Sequence, residues 1–332
     1  MTKPARARIY RGTPRNLARL ARALQAGDLV AVPTETVYGL AANALDSRAC
    51  RAIFRAKGRP SSDPLIVHIH DLAQLERIAE INPSALLLAQ HFWPGPLTIV
   101  LPKRKIVPDI VSATLPSVAV RMPAHPLFKR LLKRTNLPLA APSANPFGYV
   151  SPTTAEHVQD GLGAKIRYIL DGGPSTIGVE STIVDLRNPR SPRLLRPGAI
   201  TAAEIERVLQ RPLKVRRPKP KNDAQLAPGL MARHYSPRTP ALLHRKLPPA
   251  STAAARPEEA WIYFARPNPL PNNARNIFWL QEDGGLAAAA RHLFAVLRRV
   301  DRQKFRCIHL ERAPRGGLGD AINDRLQRAA AR

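Results

Sequence analysis

The chain has 332 residues, more than one domain usually holds, so a large and a small domain are expected. Its 52 lysines and arginines against 24 acidic residues leave a formal charge of +28, which suits either polyanionic partners or a solvated basic surface. Cys50 and Cys307 are too few and too far apart for a disulfide framework or a zinc site, and Arg8, Arg11, Arg15 and Arg19 break up any apolar signal or membrane segment. A cytoplasmic protein, neither exported nor anchored, is expected.

Thr13 and Pro14 open a helical pattern through Leu17, Leu20, Ala21 and Leu24, and Gly27 stops it. Strand-like runs follow at 29–32, 65–69, 97–101, 118–120, 137–141, 166–170, 182–186 and 193–195. Helical stretches separate them at 46–56, 72–79, 84–91, 126–132 and 153–160, and Thr201 with Glu204 forms a capping box before a further helix through Val208. The pattern predicts an α/β domain over residues 1–210 with an open, twisted, mixed sheet. Between 211 and 240 periodicity fails: Arg211, Lys214, Arg216, Arg217, Lys219 and Lys221 mix with Pro212, Pro218 and Pro220 in a stiff cationic linker. A small α/β unit is expected at 241–332, from strands at 261–264, 276–280 and 307–310 and helices at 286–300 and 321–330.

No Walker A motif is present, and Gly316, Gly317 and Gly319 lack the order of a dinucleotide fingerprint. What the sequence offers instead is a set of short polar clusters just past strand ends, where open α/β sheets bind ligands. Thr34, Thr36 and Tyr38 could orient a compact polar ligand or form a threonine-rich turn. Lys57 and Arg59, separated by a glycine, could converge on a phosphate or lie on a basic turn. His68 sits on an apolar strand, where core histidines are common. Arg121 ends another apolar strand and needs an anion, either a substrate carboxylate or a buried acidic side chain. Ser143, Asn145 and Ser151 present hydroxyls and an amide beside a helix N-terminus capped near Ser151, an arrangement that favours phosphate. Gly172, Gly173 and Gly178 permit close backbone approach around Asp171, Glu180 and Ser181, and Arg196 is a second arginine at a strand end.

In order, PTETVYGL from Pro33, KGRP from Lys57, DPLIVHI from Asp63, FWPGPLT from Phe92, VAVRMPAHP from Val118, APSAN from Ala141, LDGG from Leu170, GVESTIVD from Gly178 and LLRPG from Leu194 closely resemble the threonylcarbamoyl-AMP synthases. This is the YrdC-like family in its longer form with an added C-terminal domain. The likeness spans about residues 10–205 and continues as APGLMARHYSP from Ala227. It implies a twisted mixed sheet with helices around a basic concave cavity, plus a small Rossmann-like α/β domain.

The resemblance further implies condensation of L-threonine, bicarbonate and ATP, with Mg²⁺, into an adenylate. A downstream threonylcarbamoyl transferase would then use it to make threonylcarbamoyladenosine at position 37 of tRNA. By the same resemblance Thr36, His68, Arg121, Ala141 and Ser181 hold threonine. Arg59, Asp63, Ser117, Ser143, Ser151, Arg196 and Tyr235 hold ATP, and Lys57, Arg59, Ser143 and Asn145 serve the chemistry, with the metal ligands unassigned. The segment from Pro228 to Pro237, with Gly229 as hinge and His234 and Tyr235 as ligand contacts, is expected to close over the nucleotide. Two other readings compete: a carbamoyltransferase using carbamoyl phosphate, and a non-catalytic RNA-binding module. The first lacks the cysteine-rich segments its relatives carry, and the second has few stacking platforms, since aromatics make up only 5%.

Overall fold

The computed structural model describes residues 6–215, 234–272, 274–283 and 285–331. In chain order the first unit runs β1 (Arg8–Arg11), α1 (Pro14–Gln25), β2 (Val30–Val32), β3 (Gly39–Asn43), α2 (Ser47–Lys57), β4 (Ile66–His68), α3 (Leu72–Ile78), α4 (Pro83–Phe92) and β5 (Leu97–Pro102). It continues with α5 (Asp109–Ser112), β6 (Ser117–Arg121), α6 (Pro126–Thr135), β7 (Leu139–Ala140), α7 (Ala155–Leu162), β8 (Tyr168–Asp171), β9 (Thr182–Asp185), β10 (Arg193–Arg196), α8 (Ala202–Leu209) and β11 (Lys214–Val215). Its strands form one 11-stranded sheet in the order β1-β8-β2-β3-β7-β4-β6-β5-β9-β10-β11. Parallel pairs such as β4/β6 and β5/β9 alternate with antiparallel ones such as β2/β3 and β5/β6, so the sheet is mixed.

The helix ends follow local chemistry. Thr13 caps α1 by accepting from the Asn16 N–H, with Pro14 in the first turn. The capping box at Thr201 is complete: the Thr201 N–H donates to Glu204 Oε2 at 2.8 Å, and Thr201 Oγ1 accepts from the Glu204 N–H at 3.2 Å. The helix expected to be capped near Ser151 starts later, with Thr154 as its cap, because Ser151 spends its hydroxyl on Glu180.

Three strands of this unit lie outside the expected pattern. β1 and β3 are short and carry few β-branched residues; β3, Gly-Leu-Ala-Ala-Asn, is held by pairing with β2 and β7 and not by propensity. Lys214 and Val215, assigned to the linker, add parallel to β10. The basic residues Arg216, Arg217, Lys219 and Lys221 and the glycine at 229 lie outside the described residues.

Side-chain alternation divides the sheet between two cores. Val67, Ile99 and Val120 point into the larger one, which packs on α2, α3, α4, α7 and α8. On the other face Ile66, Val100, Ala119, Ile183 and Leu195 form a small apolar floor, while α1 and α6 cover only the far end, packing Leu20, Phe128 and Leu131 on Tyr10, Val30, Val32 and Leu170. Neither α1 nor α6 carries an acidic residue, and Arg15, Arg19, Arg22, Arg130, Lys133 and Arg134 are exposed on them beside Arg8 and Arg11 of β1.

The second unit comprises β12 (Ala241–His244), α9 (Ala250–Ala254), β13 (Glu259–Ala265), β14 (Ile277–Gln281), α10 (Leu286–Asp301), β15 (Cys307–Glu311) and α11 (Leu318–Ala329). Its four-stranded sheet, in the order β12-β15-β13-β14, is wholly parallel. α10 and α11 build its main core, and that core also takes in Val37, Val150 and Val179 of the first unit. Gly178, at φ +85°, lies so close to α10 that a methyl group there would collide with the backbone of Ala290 and Arg291.

Candidate active site

The sheet face left open by α1 and α6 carries the cavity, with about 490 Å³ of empty space including its mouth. Because His68 shares a strand face with Ile66, and Arg121 with Ala119, both polar side chains rise from the apolar floor. They stand side by side, since β4 and β6 pair with His68 opposite Arg121. The turn after β7 adds Ala141, Pro142 and Ser143, tied to the strands by the Ala141 N–H donating to Ile66 O and by a bridge from Ser143 to Gly39. Thr34, Thr36, Arg59, Glu180, Ser181, Arg196, His234 and Tyr235 complete the polar lining.

One end of the cavity is built on Arg121. Its Nη1 donates to Thr36 Oγ1 at 2.9 Å, its Nε donates to Gly95 O at 3.2 Å, and its Nη2 lies 2.7 Å from Glu35 Oε1. The anion expected for this arginine therefore includes a protein carboxylate, that of Glu35 within PTETVYGL. Burial alone would raise the Glu35 carboxyl pKa, but the facing guanidinium outweighs it and holds the carboxyl below its ordinary value. Thr34 Oγ1 donates its single proton to Val37 O at 2.6 Å, so the 2.8 Å contact between the two threonine hydroxyls must be Thr36 donating to Thr34. His68 is pushed down to about 3 by burial and by Arg121, which makes it a neutral imidazole whose Nδ1 has no hydrogen-bond partner.

The other end gathers cations. Arg59 Nη2 meets Asp63 Oδ2 at 3.0 Å and donates to Pro64 O at 2.7 Å. Arg196 donates from Nε to Ser181 O at 3.0 Å and from Nη2 to Ser181 Oγ at 3.1 Å, and Ser181 Oγ also contacts Thr98 Oγ1 at 2.8 Å. Burial lowers the pKa of Arg196. His234 is held far below its ordinary pKa by burial, then by Arg59, Lys57 and Arg196. Tyr235, at φ +60°, keeps an unpartnered hydroxyl, and burial raises its phenol pKa to about 12. Its ring packs 5.6 Å from that of Phe294 on α10, so the residue belongs to the second unit's core as well as to the cavity wall. Of the segment expected to close over the nucleotide, only the part from His234 onward lies within the described residues.

Five expected site residues stand behind this lining. The Lys57 Nζ donates to Ser143 O at 2.5 Å and to Asn145 O at 2.6 Å, bracing the turn and leaving the cavity itself to Arg59. Gly58, at φ +65°, ends α2 in the left-handed conformation that lets these two side chains diverge. Burial, then the neighbouring Arg59, lowers the Lys57 pKa well below its usual value. Asn145 spends its amide on Pro146 O and Tyr149 O, both at 2.8 Å, and Asp63 braces Arg59. Ser151 Oγ donates to Glu180 Oε1 at 2.6 Å, so it reaches the cavity only through that carboxylate. Ser117 lies at the opposite end of β6 from Arg121. Glu180 belongs to one of the expected polar clusters but had no role there, while nothing local marks its partner on α11, Arg325, among the many arginines of the tail.

Comparison with known proteins bears on the whole chain. The Sua5_yciO_yrdC family model, described as "Telomere recombination", matches residues 22–198, and the "Threonylcarbamoyl-AMP synthase, C-terminal domain" model matches residues 200–331. The chain is 42% identical over 316 residues to the threonylcarbamoyl-AMP synthase of Pyrococcus abyssi, covering 92% of each chain. It is 39% identical over 332 residues to that of Bacillus subtilis, covering 95% of this chain and 92% of the other. The crystal structure of P. abyssi Sua5 complexed with L-threonine superposes with a TM-score of 0.89 at 39% identity, covering 98% of both chains.

Proposed function

The chain belongs to the threonylcarbamoyl-AMP synthase family, and from that premise we infer that it condenses L-threonine, bicarbonate and ATP into threonylcarbamoyl-AMP and pyrophosphate. The observation that carries this reading is one buried cavity in which Arg59, Arg121 and Arg196 converge with the unpartnered polar atoms of His68, His234 and Tyr235.

We assign the Arg121 end, with Thr36, His68, Ala141 and Ser181, to threonine. Glu35 fixes the guanidinium while leaving it donors for a substrate carboxylate. Arg59, Ser143, Arg196, His234 and Tyr235 are assigned to the nucleotide. Asp63, Lys57 and Asn145 position them from behind, and Ser151 does so through Glu180. In the reaction the threonine nitrogen bonds to the carbon of bicarbonate, water leaves, and an N-carboxylate results. One of its oxygens then bonds to the α-phosphorus as the bond from that phosphorus to the bridging oxygen breaks, releasing pyrophosphate. No protein nucleophile is required; orientation and charge neutralisation by arginines suffice.

Mg²⁺ is expected with ATP, but Glu180 of the lining and Glu35 beside Arg121 are each engaged by an arginine. Among the described residues no group of three metal-ligating side chains occurs. The residues do not make a magnesium site, and the ion would be carried by the nucleotide phosphates. The labile product suits a threonylcarbamoyl transferase acting on tRNA as its consumer.

The test is to incubate the protein with L-threonine, bicarbonate, ATP and Mg²⁺ and measure pyrophosphate. Release that requires both threonine and bicarbonate is expected; dependence on carbamoyl phosphate in their place would overturn the assignment.

A further inference from the structure

The nucleotide end of the cavity is held in place from the second unit. Arg325 on α11 is wholly buried, the largest side chain to be so among the described residues. Its Nε donates to Glu180 Oε2 at 2.9 Å and its Nη2 to Glu180 O at 3.3 Å, while its Nη1 donates to Pro197 O at 2.8 Å and to Asp324 Oδ2 at 2.9 Å. The guanidinium carbon lies 5.5 Å from the centre of the Tyr235 ring. One side chain therefore touches Glu180, the turn that follows Arg196, and Tyr235, yet it does not itself line the cavity. The second oxygen of Glu180 takes the Ser151 hydroxyl, which extends the linkage to a fourth stretch of chain.

We propose that Arg325 is a positioning residue for the nucleotide, acting through Glu180: it balances a carboxylate that lines the end of the cavity that must admit a polyphosphate, and locks the Arg196 turn and Tyr235 around it. The inference rests on the assignment of that end to ATP. Without Arg325, Glu180 would lose its direct ion-pair partner and keep only the Ser151 hydroxyl and the field of Arg196, and a buried carboxylate so weakly compensated opposes a like-charged ligand far more strongly than an exposed one. The threonine end meets this linkage only at Ser181, which follows Glu180 and accepts from Arg196; Arg121 is held instead by Glu35, Gly95 and Thr36.

Arg298 on α10 provides the contrast. It is also buried and crosses between the units, but it donates only to backbone carbonyls, those of Val150, Ser151 and His157, and to no lining carboxylate. Its removal should cost stability with no selective effect on ATP.

The experiment measures pyrophosphate release while ATP and threonine are varied separately, for the full-length protein and for Arg325→Met, Glu180→Gln, the double variant, Arg325→Lys and Arg298→Met. Arg325→Met is expected to raise the KM for ATP at least about tenfold and to move the KM for threonine less than about twofold. In the Glu180→Gln background the same substitution should shift the ATP KM by less than about threefold, because the carboxylate it left unbalanced is gone. Arg325→Lys keeps the charge but cannot span Glu180 and Pro197 together, so its ATP KM should rise as well, to an intermediate value. Equal shifts in both KM values, an undiminished effect in the Glu180→Gln background, or an ATP-selective shift in Arg298→Met would each overturn the proposal. If Arg325→Met does not fold, Arg325→Lys decides, and an unaltered ATP KM there counts against it. A wild-type protein without threonine-dependent release would sink the synthase assignment, whereas an active one with no such split sinks only the role of Arg325.

Discussion

Replacing Lys57 with Met keeps an unbranched stem of similar volume and deletes the amine that braces Ser143 and Asn145. Two buried carbonyls then lose their donor, at about 1–3 kcal/mol each, or about 2–6 kcal/mol together. Part of this is returned, because burial and Arg59 already disfavour a cation at that position. A net loss of about 2–4 kcal/mol is expected, and for a cooperative unit of this size that lowers Tm by about 5–15 °C. Activity should fall as well: Ser143 lines the cavity, and a displacement of about 1 Å at a positioning group can cost about a hundredfold in rate. Calorimetry and pyrophosphate release on the same preparation separate the outcomes. Lost activity with an unchanged Tm would mean that Lys57 acts on the ligand as a charge and not as a strut, and no change in either would refute the bracing altogether.

His68 bears on pH: with a folded pKa of about 3 against about 6.5 unfolded, the unfolded chain takes up a proton that the folded one refuses. Its contribution is complete above about pH 6.5 and declines as pH falls, by about 2 kcal/mol at pH 5, so denaturation of His68→Phe should show that much less loss between pH 7.5 and 5 than wild type; equal losses count against it. Tyr235→Phe preserves the packing on Phe294 and removes only the unpartnered hydroxyl, so the KM for ATP should rise about 2- to 10-fold with Tm unchanged. Tyr235→Ala should in addition destabilise the ligand-free protein by about 2–4 kcal/mol; an unaltered KM for ATP in the Phe variant would leave the residue a packing element. If the acid-free face of α1 and α6 contacts tRNA, neutralising Arg15, Arg19, Lys133 and Arg134 should flatten the salt dependence of tRNA binding by about one phosphate contact per residue, and an unchanged slope removes that face from consideration.

Much of the fold could be read from the chain because its helices announce themselves. Thr13–Pro14 and Thr201–Glu204 are local chemical signals, and the central strands are apolar runs bounded by turns. β3 and β11 were illegible for the opposite reason: Gly-Leu-Ala-Ala-Asn has little preference for extended structure, β11 is only two residues long, and both are strands because a neighbouring strand offers its backbone. The site divides along the same line. Arg121, His68 and Ser181 were marked by polarity at the end of apolar strands. What the sequence could not convey was depth: Lys57 and Arg59, two positions apart, differ in whether they line the cavity, and Gly58 sends them in separate directions. Nor could it reveal Arg325, whose partner Glu180 lies 145 positions away.

β1 is one margin of the 11-stranded sheet, and the open edge of a sheet is a template on which another strand can add. Ile9 at its centre is 41% exposed, but it lies between the exposed Arg8 and Arg11. Two molecules approaching margin to margin would bring four guanidinium groups together before any backbone bond could form. That guard depends on the medium, since its reach contracts from about 10 Å at 0.1 M salt to about 3 Å at 1 M. Colloidal stability in this protein should therefore decline where that of many proteins is maintained, in concentrated salt, with β1 as the first point of self-association.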